Sequence, residues 1–96
     1  MNREHLARQL RKIISKVAGI AMSELADEQM LREELMLDSL KEMEIVARTE
    51  VEFGIDLEEE RLDSIQTLKE YCDFVAEALD SARTQGGRGR PLQGGV

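Results

Sequence analysis

Residues 3–18 constrain the fold more than any other stretch. Leu6, Leu10, Ile13, Ile14 and Val17 fall at i, i+4, i+7, i+8 and i+11. Only a helix puts that spacing on one face. Asn2 is placed to cap the start and Gly19 to stop the end. Arg8, Arg11, Lys12 and Lys16 occupy the rest of the surface. A helix with one apolar stripe needs a second element to cover it, and 96 residues supply one small domain. The aromatics are Phe53, Tyr71 and Phe74 alone, so the core must be built from aliphatic side chains and methionine. At this size the economical solution is helix on helix.

The rest of the chain fits that solution. Residues 39–53 read as a second helix, with Leu40, Met43, Val46, Ala47 and Phe53 on its inner face and Ile45 and Val51 off the stripe. Gly54 breaks it. Residues 57–62 suit a brief third helix, and 64–80 a last one carrying Ile65, Leu68, Tyr71, Cys72, Val75 and Leu79. Residues 19–37 are irregular but hold enough apolar side chains to lie across the core, with a helical turn expected around Asp27 to Glu33. The expectation is an all-α bundle of three main helices plus a short one before the last, with a long loop after the first. The domain spans 1–82, and the glycine-rich 83–96 reads as a flexible tail.

Charge narrows the partners. The net charge is −7, and residues 38–60 hold all of the imbalance. There Asp38, Glu42, Glu44, Glu50, Glu52, Asp56, Glu58, Glu59 and Glu60 face only Lys41 and Arg48. Nucleic acid wants the opposite sign. A basic protein surface is the complement, although acids also serve simply to solvate a small domain. The polar N-terminus has no apolar run of secretory or membrane-spanning length. The lone Cys72 excludes an internal disulfide and a cysteine-based zinc site. The expectation is a cytoplasmic monomer with no nucleic-acid or membrane partner.

Two serines stand at expected helix starts. Ser39-Leu40-Lys41-Glu42 is an S-x-x-E capping box, and Asp63-Ser64-Ile65-Gln66 is a D-x-x-Q box with Asp63 as cap. Either serine is explained by local structure. If Asp38 takes the capping role instead, the Ser39 hydroxyl sits free at the first helical position. A phosphate there meets unpaired N–H groups and the positive end of the helix dipole.

"LMLDSL" followed by "KEMEIVARTEVEFGIDL" resembles the acyl carrier protein family. The resemblance runs over about residues 3 to 80. It takes in the first helix, the long loop, the acidic second helix and a last helix entered through Ser64-Ile65. It implies that Ser39, within Asp38-Ser39-Leu40, carries 4′-phosphopantetheine, placed by a phosphopantetheinyl transferase from coenzyme A. The thiol of that arm holds acyl groups as thioesters in fatty-acid or polyketide biosynthesis. It makes Ser64 a decoy. It also implies that Asp38, Leu40, Glu42, Met43, Glu44, Glu50 and Glu52 dock the transferase, ketosynthase-type enzymes and other acyl-processing partners with basic patches. Two positions depart from the pattern. Met36 stands where the family often has glycine, and Lys41 puts a cation in the first turn of the helix.

No Ser-His-Asp set, metal-ligand cluster or phosphate-cradling loop is present, so catalysis by this chain is not expected. His5 reads as a surface residue and Cys72 as packing. Met22, Met30, Met36 and Met43 read as ordinary packing, or alternatively as an adaptable core that shelters acyl chains. The rival functions are a peptidyl or aminoacyl carrier and an unmodified acidic interaction module.

Overall fold

The computed structural model describes residues 2–85. Helix α1 spans Arg3–Ala18, α2 Ser39–Phe53 and α3 Leu68–Gln85, with 3₁₀ turns at Met22–Glu24 and Glu59–Ser64. The expected all-α architecture is the one that forms. The Asn2 side chain accepts from the His5 N–H, and Gly19 closes α1 at φ 72°. Gly54 closes α2 in the same left-handed way, its N–H 2.8 Å from the Glu50 carbonyl. The glycine-rich tail expected over 83–96 lies, from residue 86 onward, outside the described residues.

The core gathers Leu6, Leu10 and Ile14 from α1, Ile45 and Val46 from α2, and Leu68, Tyr71, Phe74 and Val75 from α3. Leu25, Leu31, Leu35 and Leu37 of the long loop complete it, so the loop crosses the core as expected. A 3₁₀ turn forms at Met22–Glu24, and around Asp27 to Glu33 the expected helical turn is a single one, closed by the Glu34 N–H on the Met30 carbonyl at 2.9 Å, that does not grow into a helix. The reason lies in what 27–31 bonds to. The Asp27 and Gln29 carbonyls accept the Lys69 and Leu68 N–H groups at 2.9 and 3.1 Å, and the Leu31 N–H donates to Gln66 at 2.8 Å. With those groups pledged to α3, the segment closes only isolated turns of its own, the Gln29 N–H on the Ala26 carbonyl and the Glu34 N–H on the Met30 carbonyl, and does not extend into a helix.

The same bonds correct the start of the last helix. It begins at Leu68, not at 64, and Asp63 does not cap it. Thr67 and Glu70 form the box: Glu70 N–H donates to Thr67 Oγ1 at 3.1 Å, and Thr67 N–H to Glu70 Oε1 at 3.3 Å. Ser64 ends the preceding 3₁₀ turn, its hydroxyl donating to the Arg61 carbonyl at 2.9 Å.

The inner face of α2 also differs from expectation. Ile45, Val46 and Thr49 are buried, whereas Leu40, Met43 and Ala47 face outward. The helix carries two apolar arcs, one through Ile45, Val46 and Phe53 and one through Leu40, Met43, Ala47 and Val51. The expected face mixed the two, taking Val46 and Phe53 correctly but adding Leu40, Met43 and Ala47 and leaving out Ile45. The buried arc instead centres on Thr49, which has no exposed surface and shares its hydroxyl with Tyr71 at 2.8 Å and the Ile45 carbonyl at 2.7 Å. No methionine among the described residues is buried, so an adaptable methionine core is not what this fold contains.

Candidate functional site

The first turn of α2 is held by its cap. Asp38 is extended, and its carboxylate accepts the Lys41 N–H at 2.9 Å, while its carbonyl accepts the Glu42 N–H at 2.9 Å. This is the arrangement in which Ser39 becomes the first helical residue, with no capping duty. Ser39 is exposed, and neither its hydroxyl nor its N–H has a hydrogen-bond partner among the described residues. The Leu40 N–H is unpaired in the same way.

The other helix start has no such vacancy. At α3 the Leu68, Lys69, Glu70 and Tyr71 N–H groups all have acceptors, from the loop or from Thr67. The two serines are therefore physically distinct. Ser39 stands at an open, positively polarised helix end, and Ser64 lies outside its helix with its proton already engaged.

The backbone before Ser39 makes the turn that glycine makes easily. Met36 sits at φ 57°, the only non-glycine residue with positive φ among those described. Met36 takes the left-handed conformation despite its side chain, which is 76% exposed. Leu37 then drops into the core and anchors the segment one residue before Asp38.

The residues expected to dock partners do not share one surface. Leu40 is 79% exposed and Met43 44%, adjoining Ser39 on the outward apolar arc. Glu44 is exposed and paired with Arg48 at 3.0 Å. Glu52 is exposed and unpaired among the described residues. Glu42 is turned toward the loop, held by Arg32 through two bonds of 2.6 and 3.0 Å. Glu50 is half-buried and accepts the Leu57 N–H at 2.8 Å, bracing the turn after Gly54. Arg32 escaped notice in the sequence because nothing local marks a cation ten residues before its acid.

Behind this surface lies an apolar cavity of about 30 Å³ between Leu31, Leu37, Ile45, Leu62 and Ile65. It has room for about one water-sized group. Glu42 and Tyr71 also line it, the first held by Arg32 and the second by Thr49. Burial pushes the Cys72 thiol up to about 11, so it stays protonated at neutral pH. Burial also raises Tyr71. No group of residues that could hold a metal ion occurs among those described. No helix among the described residues is long and apolar enough to cross a membrane.

A small helical bundle with an exposed serine opening its second helix is the architecture of a carrier domain. The phosphopantetheine attachment site family matches residues 8–75. The acyl carrier protein of Acidothermus cellulolyticus is 30% identical over 82 residues, covering 85% of this chain and 98% of that protein. The acyl carrier protein of Rubrobacter xylanophilus is 32% identical over 77 residues, covering 80% and 95%. The polyketide-8 synthase acyl carrier protein 2 of Streptomyces avermitilis is 33% identical over 75 residues, covering 78% and 86%. The chain belongs to the acyl carrier protein family. Its members carry substrates on 4′-phosphopantetheine and do not catalyse the reactions those substrates undergo.

Proposed function

We propose that Ser39 is the attachment residue, and that the chain carries acyl intermediates of fatty-acid or polyketide assembly. The observation behind this reading is the unbonded Ser39 hydroxyl at a helix end whose first two N–H groups, of Ser39 and Leu40, are unpaired among the described residues. When bound, the arm supplies a terminal thiol that holds an acyl group as a thioester. The chain's own part is to present one hydroxyl. In loading, Ser39 Oγ gives up its proton and forms the phosphodiester as the bond to the nucleotide half of coenzyme A breaks. Asp38 keeps the first turn wound, and the Ser39 and Leu40 N–H groups face the incoming phosphate. Glu44, Glu52 and the apolar Leu40 and Met43 form the docking surface for basic partner patches. Glu42 and Glu50 act instead as internal braces for the site. The name of the Streptomyces relative favours the polyketide branch.

Intact-mass measurement after incubation with coenzyme A and a promiscuous phosphopantetheinyl transferase tests the assignment. One added phosphopantetheine is expected, lost in Ser39→Ala and retained in Ser64→Ala. An unchanged mass in the parent chain would leave the rival reading, an unmodified acidic interaction module.

A further inference from the structure

The acids of this chain concentrate on and after α2, yet α1 carries a row of the opposite sign. Arg8, Lys12 and Lys16 fall at i, i+4 and i+8 and are all exposed. None of the three has an ion-pair partner among the described residues. The other cations of α1 are engaged: Arg3 pairs with Asp73, and Arg11 with Asp27 and the Leu25 carbonyl. The row borders an open groove of about 770 Å³ between α1 and α2. Lys12, Lys16 and Arg48 rim it, and Ile13, Met22 and Val51 supply apolar surface. Val51 is 84% exposed and belongs to the outward arc of α2 that the core leaves uncovered. Glu52 is the one acid on the rim, and Arg48 is already bonded to Glu44.

We propose that this groove is a second docking surface, and that its occupant is an acidic amphipathic helix of a partner protein. A groove between two helices with an apolar floor accepts the apolar stripe of a third helix. Within the groove the free cations Lys12 and Lys16 stand about 6 Å apart along α1, roughly one helical turn of such an occupant. Their charges select acidic flanks on the incoming helix. A flat anionic membrane fits less well, because it cannot enter the groove to reach Ile13 and Met22. Val51 lies about 18 Å along α2 from Ser39, at 1.5 Å per residue. A partner seated there holds the domain from behind and leaves the Ser39 end open. The groove serves as a tether that shares only Glu52 with the surface proposed to meet acyl-processing enzymes.

The test uses the full unloaded chain, so its result does not depend on whether Ser39 is modified. The probe is a synthetic amphipathic helix with leucine at i, i+3, i+4 and i+7 and glutamate on its flanks. A lysine-flanked version and vesicles of anionic phospholipid serve as comparisons. In amide chemical-shift mapping, the acidic peptide is expected to perturb Lys12, Ile13, Lys16, Met22 and Val51. The double variant K12E/K16E should weaken binding about tenfold or more, as reversal of two rim charges implies. Val51→Asp should weaken it through the floor, with the spectrum still dispersed. Transferase loading of K12E/K16E should match the parent rate. The proposal is overturned if the lysine-flanked peptide binds as well, or if the shifts map beside Ser39 and Met43. Binding by vesicles alone, self-association that fills the groove without peptide, or slower loading of the double variant would overturn it equally.

Discussion

The Thr49–Tyr71 contact yields a prediction whose sign follows from counting protons. Thr49 has one hydroxyl proton, and the Ile45 carbonyl 2.7 Å away can only accept, so Thr49 donates to it. The 2.8 Å contact to Tyr71 must then run the other way, with the Tyr71 hydroxyl donating to Thr49 Oγ1. Both residues are buried, and no buried side-chain polar atom is left without a partner among the described residues. Thr49→Val keeps the shape but removes the sole acceptor of the Tyr71 proton. Stranding that hydroxyl costs about 1–3 kcal/mol. Tyr71→Phe removes the donor and leaves Thr49 bonded to Ile45, a loss of about 0.5–1.5 kcal/mol. In the double variant no polar group is stranded, so its cost should stay near that of Tyr71→Phe alone. The two single losses together should therefore exceed the double loss by the cost of the stranded hydroxyl, about 1–3 kcal/mol. Urea unfolding of all four chains at neutral pH reads this directly, with constant m-values as the check that the unfolded state is unchanged. Additive losses would refute the donor assignment and the claim that the two hydroxyls satisfy one another.

Other expectations follow from the backbone and from the buried thiol. Met36→Gly should stabilise the fold by about 0.5–1 kcal/mol, because relief of the left-handed φ outweighs the added freedom of the unfolded chain. Met36→Ala keeps the strain and should show no such gain in the same urea assay; equal behaviour of the two variants would count against strain at this position. Cys72 is raised from 9.0 to about 11 in the folded chain, so folding favours its protonated form. The stability it contributes is complete below about pH 9 and is lost as pH rises toward 11. Tyr71, also raised by burial, adds a loss of the same sign at still higher pH. Urea midpoints should fall across that window, and Cys72→Ala should flatten the decline; a flat parent profile would contradict the burial.

Local signals made α1 and the start of α2 legible. Asn2, Gly19, Asp38 and Gly54 each act within a few residues, and each is used as its residue type suggests. What the sequence concealed depended on partners far along the chain. Two boxes compete before α3, D-x-x-Q at 63–66 and T-x-x-E at 67–70. The second prevails because Asp27 and Gln29 deliver carbonyls to Leu68 and Lys69. On α2, two apolar arcs were equally helical, and the choice fell to Thr49, whose fitness for the interior depends on a tyrosine 22 residues away. Within the candidate site, Ser39, Leu40 and Met43 lie together at the surface. The acids expected beside them divide between the surface and bracing duties that only Arg32 and Leu57 disclose. The row of Arg8, Lys12 and Lys16 was visible as spacing, but its lack of counter-charges was not.

The bonds between residues 27–31 and 66–69 also bear on synthesis. As the chain leaves the ribosome, α1 and α2 emerge with their caps complete, but the leucines of the crossing segment have nothing to lie against. Their backbone partners are made last. The domain therefore closes only once α3 is made, and a nascent chain halted before Leu68 exposes the core side chains of α1, α2 and the loop without the clasp that holds them.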